Sequence, residues 1–237
     1  MFCILWYNIY IEKFFGGCDM MNTITVKGIG NVSVKPDWII VSMKLETENK
    51  EYDKTTELAA ERITLINESL AKIGFESNSV KTTDFNVRTN YESVKDKNGN
   101  YKSVFKGYVC NHRLKVEFDF DTKRLAQVLS AISECLAKPE FSISFTVKDS
   151  SAVSGELLQS AARNAKEKAE ILCSASGVKL GDLISIDYDW GEISLYSDTN
   201  YEVGDCLMAK SECLSNIDIH PDDIKTSDTA TFVWEIL

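Results

Sequence analysis

Residues 149–186 read DSSAVSGELLQSAARNAKEKAEILCSASGVKLGDLISI, a helix that runs into a strand. Leu158, Ala161, Ala162, Ala165, Ala169 and Leu172 recur at helical spacing and predict one apolar stripe. The stripe is mostly alanine, and small side chains let a helix lie close against whatever it covers. Arg163 with Glu167 and Lys166 with Glu170 make i,i+4 pairs suited to a solvated face. Asp149 or Ser150 is placed to cap the start, and Gly177 to end the helix in the left-handed region. An alternating strand over 183–190 follows.

Working outward, the same alternation between periods of 3.6 and 2 continues in both directions. Residues 23–34 place Ile24, Val26, Val32 and Val34 on one face of a strand, with Gly28 and Gly30 at the same parity. Glycines there predict a bulge or a close backbone approach. They are no dinucleotide fingerprint, because Ser33 stands where a third glycine belongs and no helix follows. Lys35-Pro36-Asp37 makes a turn, and residues 38–48 read as the half-buried second strand of a hairpin. Residues 51–73 form an amphipathic helix on Ala59, Ile63, Ile66, Leu70 and Ile73, stopped by Gly74. Strands over 80–91 and 101–120 flank an Asn98-Gly99 turn. Asp121 caps a helix bearing Leu125, Val128, Leu129, Ile132 and Leu136, and Pro139 precedes a strand on Phe141, Ile143, Phe145 and Val147. Residues 191–216 show no period and read as a long loop, and residues 226–237 form a closing strand. The order β-β-α-β-β-α-β-α-β-loop-β predicts an α+β fold, a largely antiparallel sheet covered by three helices.

Composition bounds the function. The 237 residues carry a formal charge of −10, which argues against nucleic acid or an anionic membrane as partner, since phosphate binding needs a basic patch. Seven cysteines, Cys3, Cys18, Cys110, Cys135, Cys173, Cys206 and Cys213, contain no C-x-x-C, so neither a zinc site nor a redox motif is spelled out. Cys135 and Cys173 fall on apolar helix faces, where thiols act as small hydrophobes. Free thiols in this number predict a reducing, cytoplasmic location.

Residues 1–21 read as a leader apart from one domain over 22–237. Residues 1–11 are apolar but far too short to span a membrane, and Glu12 and Lys13 follow the apolar run rather than precede it. Gly16-Gly17 lie just upstream of Met20 and Met21, in keeping with a ribosome-binding element and a later start. The alternatives are a short exposed tail or an exported lipoprotein anchored at Cys18. No transmembrane segment is expected.

Several stretches resemble the SIMPL-domain family. Ala161-Ala162-Arg163-Asn164-Ala165 through Ser176-Gly177-Val178-Lys179-Leu180-Gly181 to Ile184-Ser185-Ile186 is one. Val26-Lys27-Gly28-Ile29-Gly30 with Val34-Lys35-Pro36-Asp37 is similar to the family's opening hairpin. Thr82-Thr83-Asp84-Phe85-Asn86-Val87 with Tyr91, Gly107-Tyr108, and Pro221-Asp222-Asp223-Ile224 follow in order. Members of that family are named for the domain rather than for a reaction. They include envelope proteins, some linked to oxidative-stress tolerance, and one that assembles into a hollow oligomer. The resemblance implies a non-enzymatic module that self-associates or binds an unidentified protein partner.

The residues offer weak rivals to that reading. Cys110 and His112 point to one strand face, but α-carbons two apart lie about 7 Å from each other, whereas a catalytic pair needs hydrogen-bond contact. Packing beside Leu114 and Val116 is the simpler role. Asp218, His220, Asp222 and Asp223 form an acidic segment without calcium-loop spacing, a solvated turn that could otherwise serve a metal-dependent enzyme. Cys206 and Cys213 could pair, or bind metal with His220, but the spacing supports neither. No G-x-S-x-G, H-E-x-x-H or P-loop occurs, so no catalytic, cofactor-binding or metal residues are assigned. A homo-oligomer is expected, with the loop 191–216 taking part through Ile193, Leu195, Tyr196, Tyr201, Val203, Leu207, Met208 and Leu214 beside Trp190.

Overall fold

The computed structural model describes residues 22–95, 100–189, 191, 193–199, 201–203 and 219–237. The leader, the Asn98-Gly99 turn, Trp190, Cys206, Leu207, Met208, Cys213, Leu214 and Asp218 lie outside the described residues. The element order is β1 (Thr23–Val34), β2 (Trp38–Asn49), α1 (Tyr52–Ala71), β3 (Lys81–Lys95), β4 (Tyr101–Asp119), α2 (Thr122–Ser133), β5 (Glu140–Thr146), α3 (Ser150–Ser176), β6 (Leu180–Asp187), β7 (Tyr201–Val203) and β8 (Ile224–Ile236). Among the described residues two antiparallel sheets with three helices confirm the α+β class. The chain divides into two compact units, one holding the chain up to Val32 with Ser151–Ile193 and Thr226–Leu237, the other Ser33–Ser150 with Ser194–Lys225.

The larger unit is a five-stranded sheet in the order β3-β4-β2-β5-β7. β2 is its centre, pairing with β4 from Trp38↔Asp119 to Asn49↔Tyr108 and with β5 from Trp38↔Thr146 to Lys44↔Glu140. Because strand side chains alternate, Ile39, Val41, Met43 and Leu45 all face one side, beside Leu114, Val116, Ile143 and Phe145. Ile66 and Leu70 of α1 and Leu125, Val128, Leu129 and Ile132 of α2 cover that face. Burying each such side chain contributes about 1.5–3 kcal/mol. The other face is polar, with Lys44 paired to Glu140 at 3.1 Å. Asp121 caps α2 as expected, accepting from the Lys123 and Arg124 amides. The helix ends sooner than its apolar pattern, however. Leu136 lies past it and is exposed, while Cys135 is buried. Arg62 explains the firm seat of α1: its guanidinium donates to the Ala137 and Glu46 carbonyls and to the Thr47 hydroxyl.

β1 and β2 do not form the expected hairpin. β1 belongs to a separate three-stranded sheet, β1-β8-β6. Asp37, in the turn between them, is instead bonded to strands beside β2. Its amide donates to the Thr146 carbonyl at 3.1 Å and its carbonyl accepts from the Phe120 amide at 2.9 Å. The loop 191–216 is also not the structureless segment expected, as far as it is described. β7 pairs with β5, the Ser197 amide donates to the Phe145 carbonyl at 2.8 Å, and Leu195 is buried. Tyr201 packs partly buried on the core, so Leu195 and Tyr201 serve the loop's own unit, while Tyr196 is exposed.

In the smaller unit α3 lies over β1 and β8 of the three-stranded sheet. Its buried residues are Val153, Leu157, Ala161, Ala165, Ala169 and Cys173, one every fourth position. The alanines are those expected, but the phase differs at the flanks: Leu172 is 50% exposed and Leu158 lies at the rim. Gly177 ends the helix at φ +74, with the Val178 amide bonded to the Cys173 carbonyl at 3.0 Å and the Gly177 amide to the Ser174 carbonyl at 3.3 Å. That is the two-bond stop which left-handed glycine permits.

Candidate interaction surface

The smaller unit shows how this protein closes a strand edge. β1 is an edge strand, and an edge leaves main-chain donors and acceptors unpaired. α3 supplies the partners: Asn164 Oδ1 accepts from the Ile29 amide at 3.0 Å, Ser160 Oγ from the Asn31 amide at 3.3 Å, and Lys168 Nζ donates to the Lys27 carbonyl at 3.1 Å. The match follows from two repeats. Four helical residues rise about 6 Å and two strand residues about 6.7 Å, so positions 160, 164 and 168 stay in step with 31, 29 and 27. The glycines make the approach possible. A Cβ on Gly28 would lie 2.2 Å from the Ala161 carbonyl oxygen, and one on Gly30 2.1 Å from that of Leu157. The close backbone approach expected of these glycines is present.

The opposite edge of that sheet, β6, has no further strand paired to it among the described residues. Leu183 and Ile186 pair with Trp234 and Phe232, whose side chains are buried with the alanines of α3. Yet Leu183 is 47% and Ile186 56% exposed, because a helix tied to the β1 edge does not reach over β6. Ile184 is exposed as well.

The second open feature is the β3–β4 arm in the larger unit. β4 leaves β2 at the Asn49↔Tyr108 pair, while β3 and β4 stay paired outward from Tyr91↔Phe105 to Lys95↔Tyr101. Five pairs make a two-stranded ribbon about 17 Å long. Every described residue of 91–95 and 101–106 is exposed, including Tyr91, Val94, Val104, Phe105 and Tyr101, the last at 75%. Edge-to-face rings stiffen its root, running Tyr52–Tyr108, Phe105–Tyr108 and Tyr91–Phe105 at 5.4–5.6 Å between centroids. At the root the register shifts between Asn90 and Tyr91, and Gly107 takes φ +144. A Cβ there would meet the Asn49 carbonyl oxygen at 2.3 Å. The two strands of the arm are 15 and 19 residues long against 12 for β2, and the first runs four residues beyond the 80–91 expected from the sequence.

The chemical candidates lie elsewhere. Cys110 and His112 are buried on β4, opposite Thr47 and Leu45 of β2 and Val87 and Phe85 of β3. His112 Nε2 is 2.9 Å from Thr82 Oγ1, the Phe85 ring stands edge-on at 5.0 Å, and Nδ1 is buried without a partner. Burial holds this imidazole below its ordinary value of 6.5, and raises the Cys110 thiol, so both neutral forms are favoured. A protonated thiol is a poor nucleophile. Clefts of 380 Å³ between α1 and α2 and 220 Å³ at the arm root include neither residue. Asp222 is held by its main chain, its carbonyl accepting from Ser197 Oγ at 2.7 Å and its amide donating to Thr199 Oγ1 at 3.0 Å, and Asp223 is exposed. His220 is exposed nearby. Among the described residues no three His, Cys, Asp or Glu side chains form a metal-sized group, and no helix is long and apolar enough to cross a membrane.

Known proteins resemble this chain along most of its length. It is 26% identical over 166 residues to the 26 kDa periplasmic immunogenic protein of Brucella melitensis biotype 1, and 25% identical over 166 residues to the protein of that name from Brucella abortus strain S19. Each match covers 69% of this chain and 65% of the relative. The relatives' periplasmic designation overturns the cytoplasmic location expected from free thiols. The physical reason lies in burial: Cys110, Cys135 and Cys173 are buried and unpaired, and thiols serving as core hydrophobes do not report the redox state outside. The family model for SIMPL, a protein of unknown function (DUF541), matches residues 24–234, and the chain belongs to that family.

Proposed function

We propose that this protein is a non-enzymatic, self-assembling module of an exported, envelope location. The observation that carries the reading is the β3–β4 arm, an ordered ribbon with apolar side chains on both faces and, among the described residues, no further strand on its edges. A two-stranded hairpin is marginal in water and gains stability from a third strand or a packed face. Exposed tyrosine, phenylalanine and valine in one place are also the composition of interface cores. The relatives' names support the envelope location. In the loop 191–216, Leu195 and Tyr201 serve its own sheet while Tyr196 is exposed, so of its described residues only Tyr196 is a ready contact beside the arm.

Sedimentation velocity over a concentration series tests the assembly. The expected result is a mass that rises above the 26.6 kDa of one chain, and falls back when Val94, Tyr101 and Val104 are changed to serine. A monomer at every concentration overturns the reading. Fractionation of the native cells tests the location, with the protein expected outside the cytoplasmic fraction.

A further inference from the structure

We propose that the β3–β4 arm of one copy docks on the β6 edge of a second copy; this rests on the self-assembly reading above. Charge complementarity selects the pair. The described arm residues 91–95 and 101–106 carry three cations, Lys95, Lys102 and Lys106, against the single carboxylate Glu92, which pairs with Lys106 and leaves Lys95 and Lys102 uncompensated at the outer end. That concentration stands out in a chain of net charge −10. Residues 180–189 hold Asp182, Asp187 and Asp189 and no lysine or arginine. Both surfaces are exposed, and both combine charge with apolar side chains: Tyr91, Val94, Tyr101, Val104 and Phe105 on the arm, Leu183, Ile184 and Ile186 on β6.

The other pairings are disfavoured on the same grounds. Two arms meeting would oppose cations to cations. Two β6 edges paired about a two-fold axis between Ile184 and Ser185 would set Asp182 opposite Asp187, and like charges directly opposed destabilise a sheet. β1 is closed by Ser160, Asn164 and Lys168. The arm–β6 contact supplies the third strand that the ribbon lacks, and covers the part of the sheet that α3 leaves bare. A contact between two different surfaces leaves each copy with both surfaces to offer, so it can repeat from copy to copy or be exchanged reciprocally in a dimer.

Sedimentation velocity on the full chain reads this directly, with Lys95→Glu plus Lys102→Glu on the arm and Asp182→Lys plus Asp187→Lys on β6. Each reversed pair is expected to weaken association by about tenfold or more. Mixing the two variants, or combining all four changes in one chain, restores opposite charges and recovers most of the association. That recovery also shows that the variants fold. Wild-type assembly indifferent to both reversals overturns the docking while leaving self-assembly standing. So does loss in the single variants without recovery in the swap. Reversals that spare self-association but abolish pelleting with phosphatidylserine vesicles make the arm a lipid contact and overturn the proposal. A wild-type monomer at every concentration removes both readings together.

Discussion

The β1 edge and the β6 edge belong to one three-stranded sheet, yet they are treated in opposite ways. At β1, two glycines and a row of alanines bring α3 so near that Ser160, Asn164 and Lys168 take up the strand's outward amides and carbonyl. At β6 nothing comparable stands over the strand among the described residues, and Leu183 and Ile186 remain exposed beside Asp182 and Asp187. A helix that satisfies one edge so closely cannot also cover the other. Closing β1 thus creates the bare strip at β6, and the difference separates a surface built for internal packing from one left for contact.

Several substitutions bear on that contrast. The largest effect is expected where α3 meets β1. Gly30→Val forces side-chain atoms onto the Leu157 carbonyl and should cost about 3 kcal/mol, the upper end for overpacking. Ala165→Leu, at a fully buried position, should cost about 1–3 kcal/mol. Chemical denaturation measures both, and wild-type stability in either would mean the helix stands further off. Asn164→Ala removes only the acceptor for the exposed Ile29 amide and should cost about 0.5–1 kcal/mol. The same change should speed hydrogen exchange at Ile29 and leave β6 amides alone.

The open surfaces should respond in the opposite sense. Tyr101→Ser is expected to change stability by less than about 0.5 kcal/mol while weakening self-association. A large loss of stability would show that Tyr101 serves its own fold. The smallest expected effect is a pH dependence away from both surfaces. Burial places the folded-state value of His112 below the ordinary 6.5, with Asp84 opposing only in part. The unfolded chain therefore binds a proton that the native ring refuses. Stability is fully present above about pH 6.5 and is lost as pH falls through that value towards the lower native one. His112→Gln should flatten this part of the stability profile and leave self-association intact. Loss of association in a folded His112→Gln variant would revive a functional role for the ring.

Much of this contrast was legible in the sequence, and the remainder was hidden for definable reasons. Gly28 and Gly30 at strand parity announced a close approach, because a missing Cβ is visible without any partner. The Asp121 cap and the Gly177 stop were equally local signals. The phase of α3 was misread at Leu158 and Leu172, since an alanine stripe flanked by leucines on both sides fits two rotations of the helix. The turn at Lys35-Pro36-Asp37 suggested a hairpin, but turn residues do not say which strands pair. Here β1 joins β8 across nearly the whole chain. The same blindness to distant pairing made the loop after β6 look unattached, whereas β7 finds its place on β5. The first strand of the arm is expected from the sequence to end at Tyr91, whereas β3 runs on to Lys95, and only the register against β2 shows where β3 and β4 project together.

Residue-resolved hydrogen exchange, followed from dilute to concentrated protein, tests the central contrast most directly. The amides of Ile29 and Asn31 should be protected at every concentration, held by Asn164 and Ser160. The outward amides of β6 and of the β3–β4 arm should exchange fast in dilute solution and slow together as the protein is concentrated. Amides of β6 and the arm that stay fast at all concentrations, or Ile29 and Asn31 amides that exchange as fast as they do, would contradict the account.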